Sequence, residues 1–286
     1  RRPLPAKFLV LGSASPDLIR QSSESLAGRI SYHELPPLSL TEVGRNNWKK
    51  LWVRGGFPRS FLAAKEISSQ DWRRDLVKTY LERELPGLDL RIPAGTMRRF
   101  WTMLAHYHGQ IWNSSEFARS FGVNDKTIRH YLDILCDTFM VRLLRPWHEN
   151  LAKRQVKSPK IYFRDSGILH SLSAIENFNQ LQTHPRCGAS WEGFALEQTI
   201  HMTGIMEDQC YFWATHQEAE LDLLRVHGAQ REGFEFKYSH SPGLTPSMRV
   251  ALRDLKLNHL WVVHPGPNRY PLGDNIDAVP LTDLCK

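Results

Sequence analysis

The sequence predicts a mixed α/β protein built from four consecutive parts. Three observations predict this fold class. Amphipathic helical patterns dominate the first half, a helix-turn-helix pattern follows near the middle, and strand patterns dominate the last third. We place the parts at residues 1–40, 41–110, 111–164 and 165–286. A chain of 286 residues is long enough to bury more than one hydrophobic core.

Residues 1–40 predict one short buried strand, "FLVLG", followed by a helix. This apolar run is too short for a secretion signal, and no run approaches the length that spans a membrane. The four cysteines are far apart and form no CxxC pair, so neither a zinc site nor a disulfide framework is favoured. We therefore expect a cytoplasmic protein with no membrane partner.

Residues 41–110 predict packed helices. The segments "SSQDWRRDLVKTYLEREL" and "AGTMRRFWTMLAHYHGQ" both carry apolar residues at helical spacing. His106 and His108 have no third candidate ligand nearby, so a structural role is favoured over a metal site.

Residues 113–135, "NSSEFARSFGVNDKTIRHYLDIL", predict a helix-turn-helix. Ser114 or Ser115 is expected to cap the first helix, Gly122 to form the turn, and Asn124 or Asp125 to cap the second. Three polar residues would project outward from the second helix, as recognition residues do in a major groove: Lys126, Arg129 and His130. The same fold also serves as a protein-interaction module, and this alternative stays open.

The segments "FMVRLLRPW" and "PKIYFRD" predict two paired strands, which would complete a winged helix. The basic stretch between them adds Lys153, Arg154 and Lys157 as candidate DNA contacts. Residues 91–164 contain 13 Lys and Arg against 5 Asp and Glu, whereas the whole chain has a net charge of only +7. Such a local excess of positive charge is typical of a nucleic-acid site, although a solvated basic face would look the same.

The stretch "ELDLLRVHGAQREGFEFKYS" predicts a β-hairpin with its turn at Gly228-Ala229. This register places Asp222 opposite Glu235 and Glu220 opposite Lys237. Because side chains alternate along a strand, all four charged groups are expected on one face, with four apolar residues on the other: Leu221, Leu223, Phe234 and Phe236. The charged face fits either a metal-dependent site or ordinary cross-strand salt bridges in solvent.

Around this hairpin, the order of helix, three strands, helix and strand resembles the PD-(D/E)XK nuclease fold. The residues that carry the resemblance are Glu192 on the first helix, Asp222 on the second strand, and Glu235-Phe236-Lys237 as the ExK element. The resemblance implies a restriction-endonuclease-like domain in which Asp222 and Glu235 bind Mg²⁺ and Lys237 orients a water. Glu197 is excluded because it projects about 140° away from Glu192 on a helix. The sequence departs from the nuclease pattern in two ways. No proline precedes Asp222, and residues 165–286 are acidic, with 9 basic against 15 acidic residues.

The order of motifs along the chain resembles predicted prokaryotic AAA-type ATPases joined to the C-terminal domain-of-unknown-function 4143. The motifs are "LAGR", "PLSLTE", "RGGFPRS", "YLERELP", "FRDSGILHSL", "WEGFALE" and "FEFK". For residues 1–40 the resemblance implies the end of an ATPase domain. There Ser13 would help to position the attacking water, and Arg29, or alternatively Arg20, would compensate γ-phosphate charge. The sequence contains no GxxxxGK[ST] motif, so we expect a truncated member without ATP hydrolysis of its own; ATP would be a cofactor only of a full-length form.

The leading functional hypothesis is a DNA-associated member of this family with a nuclease-like C-terminal domain. One alternative is an active Mg²⁺-dependent endonuclease. Another is a non-catalytic regulator or adaptor, and a third is a subunit that supplies Arg29 in trans to an intact ATPase partner. DNA is the expected partner, and an ATPase partner or a homo-oligomer is the further expectation.

Overall fold

A computed structural model describes residues 9, 31, 33–87, 92–149, 154–216 and 219–284 of the chain. Ser13, Arg20, Arg29 and Lys153, which the sequence proposes as functional residues, lie outside the described residues.

In the described residues, all the α-helices except the last begin before residue 191. They are α1 (Leu40–Val43), α2 (Trp48–Arg54), α3 (Pro58–Phe61), α4 (Glu66–Thr79), α5 (Ala94–His106), α6 (Ser114–Phe121), α7 (Asp125–Asp137), α8 (Ser166–Leu172), α9 (Phe178–Thr183), α10 (Cys187–Thr203) and α11 (Pro246–Asp254). A π-helical segment (Tyr80–Glu84) and a short helical turn (Leu85–Gly87) continue α4. No helix in the described part of the chain is long and apolar enough to cross a lipid bilayer.

The strands of the described residues belong to one mixed sheet, which confirms the α/β class. They are β1 (Val141–Pro146), β2 (Lys160–Phe163), β3 (Cys210–Ala214), β4 (Glu220–His227), β5 (Gln230–Phe236), β6 (His259–His264), β7 (Tyr270–Gly273) and β8 (Ile276–Pro280). Their order is β2-β1-β3-β4-β5-β6-β8-β7. The predicted pairing of β1 with β2 is confirmed as antiparallel, with Val141 opposite Phe163. Because β1 also pairs in parallel with β3, the two strands expected to form a wing extend the C-terminal sheet.

The helix-turn-helix begins at least one residue earlier than the predicted cap at Ser114 or Ser115 implies. Helix α6 starts at Ser114, so the cap position falls on Asn113. Instead, the hydroxyls of Ser114 and Ser115 donate to Oδ2 of Asp125, at 3.0 and 2.9 Å, and tie the start of α6 to the start of α7. Asn124 caps α7, because its Oδ1 accepts a hydrogen bond of 2.8 Å from the Thr127 amide.

The "RGGFPRS" and "FRDSG" motifs contact each other in the interior. The buried carboxylate of Asp165 accepts hydrogen bonds from the amides of Gly56, at 2.7 Å, and Ile168, at 2.9 Å. A Cβ atom at Gly167 would lie 2.2 Å from the carbonyl oxygen of Arg54. These residues therefore have a packing role, which joins the helical region to β2 and α8.

Candidate functional site

The β4–β5 hairpin has the register that the sequence predicts. Leu223 lies opposite Phe234 and His227 opposite Gln230, and the turn contains Gly228 in the left-handed conformation with φ of 59°. Beyond the paired region, Oδ2 of Asp222 accepts a hydrogen bond of 2.9 Å from the Phe236 amide. The hairpin therefore brings Asp222 to the ExK segment.

The apolar face of the hairpin differs from the prediction at one residue. Leu223, Phe234 and Phe236 pack in the core cluster that includes α10, as expected. Leu221 instead packs in the cluster that includes α11. The cause is an irregularity in the pairing of β3 with β4, opposite Leu221 to Leu224, which interrupts the strict alternation of side chains.

The carboxylates of Asp222 and Glu235 are buried, each with 5% of its residue surface exposed, so a solvated polar face is the wrong description of them. Burial raises the pKa of Asp222 well above its usual value, and repulsion from Glu235 adds to this effect. Burial also raises the pKa of Glu235, although the ammonium of Lys237 opposes it. Oε2 of Glu235 is buried and has no hydrogen-bond partner in the described structure.

The two lysines of the site contact different acids from those expected in a salt-bridged hairpin. Lys237 Nζ lies 2.7 Å from Oε1 of Glu235, on its own strand, rather than pairing with Glu220. Glu220 forms its ion pair with Lys160. Lys237 is only partly buried, so its ammonium keeps access to solvent beside the carboxylate pair.

Lys160 is the residue of this site that the sequence reasoning missed. It is the first residue of β2, it is only 3% exposed, and its Nζ lies 3.2 Å from Glu192 Oε1 and 3.8 Å from Asp222 Oδ1. The Tyr162 hydroxyl, two residues along the same strand, donates a 2.5 Å hydrogen bond to the same Glu192 oxygen. The available signal was a charged residue at the start of the apolar strand "KIYF". Lys160 also follows a basic run in the sequence, so its charge resembles those of the exposed lysines before it.

The site therefore combines four carboxylates with two ammonium groups. The carboxylates are those of Glu192, Glu220, Asp222 and Glu235, and the ammonium groups are those of Lys160 and Lys237. Within the described ranges, no three His, Cys, Asp or Glu side chains converge in a geometry that would hold a metal ion. The Lys160 ammonium lies among three of the four carboxylates.

Glu197 and His108 have structural roles. Glu197 forms a buried bidentate ion pair with Arg142 of β1, with distances of 2.5 and 3.1 Å, and is not among the contacts of the carboxylate site. His108 accepts a 3.0 Å hydrogen bond at Nδ1 from the Phe163 amide, and burial lowers the pKa of His108 to about 3, so its ring is neutral. Glu197 therefore joins α10 to β1, and His108 joins the segment after α5 to β2.

The candidate DNA contacts lie on two surfaces. Lys126, Arg129 and His130 are exposed on α7. Arg154 and Lys157 are exposed in the segment between β1 and β2. Residues 154–156 of this segment are bonded to the end of β3 and the residues after it, because the His216 amide donates to the Arg154 carbonyl and the Val156 amide donates to the Ala214 carbonyl, each at 3.0 Å.

Comparisons with known proteins divide the chain at residues 180–186. Residues 45–179 match the family model described as "Domain of unknown function (DUF8612)", and residues 187–284 match the one described as "Domain of unknown function (DUF4143)". The second match agrees with the resemblance seen in the sequence. Lys160 and Tyr162 therefore belong to the first matched segment, and the four carboxylates and Lys237 to the second.

Two curated relatives extend over nearly the whole chain. They are uncharacterized proteins of Mycobacterium tuberculosis and Mycobacterium bovis, each 50% identical over 281 residues. The alignment covers 98% of this chain but 63% of each relative, so the chain spans less than two thirds of their length. No solved structure matches.

Proposed function

We propose that this chain, with its DUF4143 segment, is a DNA-associated protein that carries a nuclease-like divalent-cation site. One observation carries the proposal: Asp222 and Glu235 are two buried carboxylates on one hairpin, and Lys237 lies 2.7 Å from the second of them. Burying two such groups together is costly unless a cation or a proton compensates them. The same three residues carry the resemblance to PD-(D/E)XK nucleases.

The residues present fit a hard divalent cation that takes few protein ligands. Four carboxylates face two ammonium groups, which leaves the cluster short by two positive charges if all the acids are ionised. Oε2 of Glu235 is buried and has no hydrogen-bond partner among the described residues. Asp222 and Glu235 would hold the ion, and Mg²⁺ suits them because it is often bound by one or two carboxylates and keeps its waters. When bound, the ion would acidify a water and stabilise charge on a phosphate.

Lys237 is the residue best placed to act beside that ion. Its ammonium has three donors, and one of them points to Glu235 Oε1. The remaining donors are available for a water or a phosphate oxygen at the solvent side of the site. Lys237 would thus orient the attacking water, while the carboxylates of Asp222 and Glu235 would bind the cation.

The surface of α7 is the proposed contact with DNA. Lys126, Arg129 and His130 are exposed on the second helix of the helix-turn-helix, in the segment of the chain with the largest positive excess. Contacts of this kind neutralise phosphates and release counterions, so binding should weaken steeply with salt. The acidic C-terminal segment repels DNA, which favours a protein that binds through its middle third.

We expect weak or absent DNA cleavage. The negative charge of residues 165–286 opposes approach of a DNA backbone, and the Lys160 ammonium already contacts Asp222. This second observation supports the non-catalytic alternative, in which the chain is a regulator or adaptor. Association with an AAA-type ATPase, in the same polypeptide or as a partner, is also a proposal and rests on the resemblance carried by the order of motifs along the chain.

DNA association is tested with a fluorescently labelled duplex and anisotropy over a range of salt concentrations. Reversal of charge at Lys126 and Arg129 is expected to weaken binding more than reversal at Arg249 and Arg253, which are exposed on α11. Equal losses from both pairs would show that attraction is diffuse and would contradict the role of α7.

Cleavage is tested by nicking of supercoiled plasmid with Mg²⁺ or Mn²⁺. Metal-dependent nicking that disappears in folded Asp222→Asn and Lys237→Met would overturn the expectation of weak activity and establish the endonuclease. Lys237→Met removes the positive partner of the buried Glu235 carboxylate, so its folding is checked by circular dichroism before nicking is compared.

A further inference from the structure

The position of Lys160 in the carboxylate site carries an inference about its regulation. Lys160 Nζ lies 3.2 Å from Glu192 Oε1 and 3.8 Å from Asp222 Oδ1, and it also pairs with Glu220. These acids come from α10 and β4, so the ammonium joins parts of the site that are distant in sequence. A buried ammonium with several acidic partners is an internal counter-ion for the cluster.

We propose that the ammonium of Lys160 competes with a divalent cation for the carboxylate site, so that the ion binds only when this side chain moves aside. The inference rests on the proposed function, because it assumes that Asp222 and Glu235 can hold an ion.

The argument for competition is geometric. An ion bound to Asp222 Oδ1 at about 2.1 Å would lie within roughly 6 Å of an ammonium that is 3.8 Å from the same oxygen. Two cations at that distance in a buried site repel each other strongly. The Lys160 ammonium also offsets part of the negative charge of Asp222, which weakens the attraction between this carboxylate and the ion.

The backbone of Lys160 is held on both sides, so only its side chain can respond. Lys160 pairs with Leu144 of β1 on one edge of β2 and forms a β-bridge with Ile111 on the other. Glu220 is the most exposed of its acidic partners, with 41% of its side chain accessible. Rotation of the side chain toward Glu220 and solvent would vacate the space beside Asp222 and keep one ion pair.

Metal binding measured by titration calorimetry with Mn²⁺, in the absence of DNA, tests the competition. Lys160→Met is expected to bind Mn²⁺ at least about tenfold more tightly than the unmodified chain, because the competing charge is gone. Mn²⁺ should also raise the melting temperature of Lys160→Met more than that of the unmodified chain. Lys160→Gln is the second variant, since its amide can still donate to Glu192 if methionine disrupts folding. Lys157→Met, at an exposed lysine three residues earlier, is the matched control and should bind as the unmodified chain does.

The outcomes separate this inference from the proposed function. If the unmodified chain and both Lys160 variants bind Mn²⁺ equally, and Asp222→Asn removes binding, the cation site is real and the competition is wrong. If no folded variant binds Mn²⁺, the cation site itself is wrong and the inference fails with it. If both Lys160 variants bind Mn²⁺ more tightly and Asp222→Asn abolishes that binding, the result supports the cation site and the competition.

Discussion

Glu197→Gln is expected to destabilise the chain strongly, because Glu197 is buried in the interior of α10 and forms an ion pair there with Arg142. Glu197 and Arg142 form two charge-assisted hydrogen bonds of 2.5 and 3.1 Å, and their side chains are 4% and 7% exposed. Burial alone would raise the pKa of Glu197, but the Arg142 charge and hydrogen bonds lower it overall. Removing the negative partner leaves the guanidinium buried without compensation, which costs about 3–5 kcal/mol.

For a chain of this size, each kcal/mol changes the melting temperature by about 2 °C, so a fall of roughly 6–10 °C is expected. Urea and thermal unfolding followed by circular dichroism measure the loss. Glu232→Gln is the matched control, because Glu232 pairs with Arg225 at 3.0 Å in a half-exposed position, where the expected cost is about 0–1 kcal/mol. The double variant Arg142→Met with Glu197→Leu should recover most of the stability, since apolar side chains can replace a buried ion pair.

The pH dependence gives a second check of the same pair. Because the folded pKa of Glu197 is lowered, its stabilising contribution is present above the unfolded value near 4.5 and is lost as the pH falls through the folded pKa. The difference in stability between the unmodified chain and Glu197→Gln should therefore shrink in acid. A Glu197→Gln loss no larger than that of Glu232→Gln would refute the buried ion pair.

Three further predictions concern the carboxylate site, the packing of the motifs and nucleotide. In metal-free buffer, the raised pKa of Asp222 means that the folded state loses stability as pH rises from about 3.8 through the folded pKa. Urea unfolding of Asp222→Asn should not show this loss, and identical pH profiles for the two proteins would contradict the raised pKa. Gly167→Ala should destabilise by about 1–3 kcal/mol because its Cβ would meet the Arg54 carbonyl, whereas Gly188→Ala, with open space around it, should not; equal melting temperatures would show that the contact relaxes freely. The purified 286-residue chain should show no saturable ATP binding in calorimetry, because its sequence has no GxxxxGK[ST] motif, and stoichiometric binding would disprove this expectation.

Local sequence patterns were sufficient to predict the elements that depend on interactions between residues close together in the chain. The hairpin register was predictable because Gly228 favours a tight turn and residues alternate at period two, which fixes the pairing of Leu223 with Phe234. The helix-turn-helix and the pairing of β1 with β2 followed from similar signals. Even there, the capping residue of α6 was missed, because Ser114 and Ser115 bind Asp125, which lies on the next helix.

The sequence by itself determined the hairpin register that brings Asp222 to Glu235-Phe236-Lys237, and the concentration of positive charge in the middle of the chain. Only the tertiary structure decided which charges the carboxylates meet. Lys160 reaches Glu192, 32 residues away, because β2 joins the C-terminal sheet through β1. Sheet order and helix packing set such contacts, and they depend on the summed burial of many side chains. Periodicity within a short window reports the exposed and buried faces of one element, so it cannot identify the partner that another element supplies.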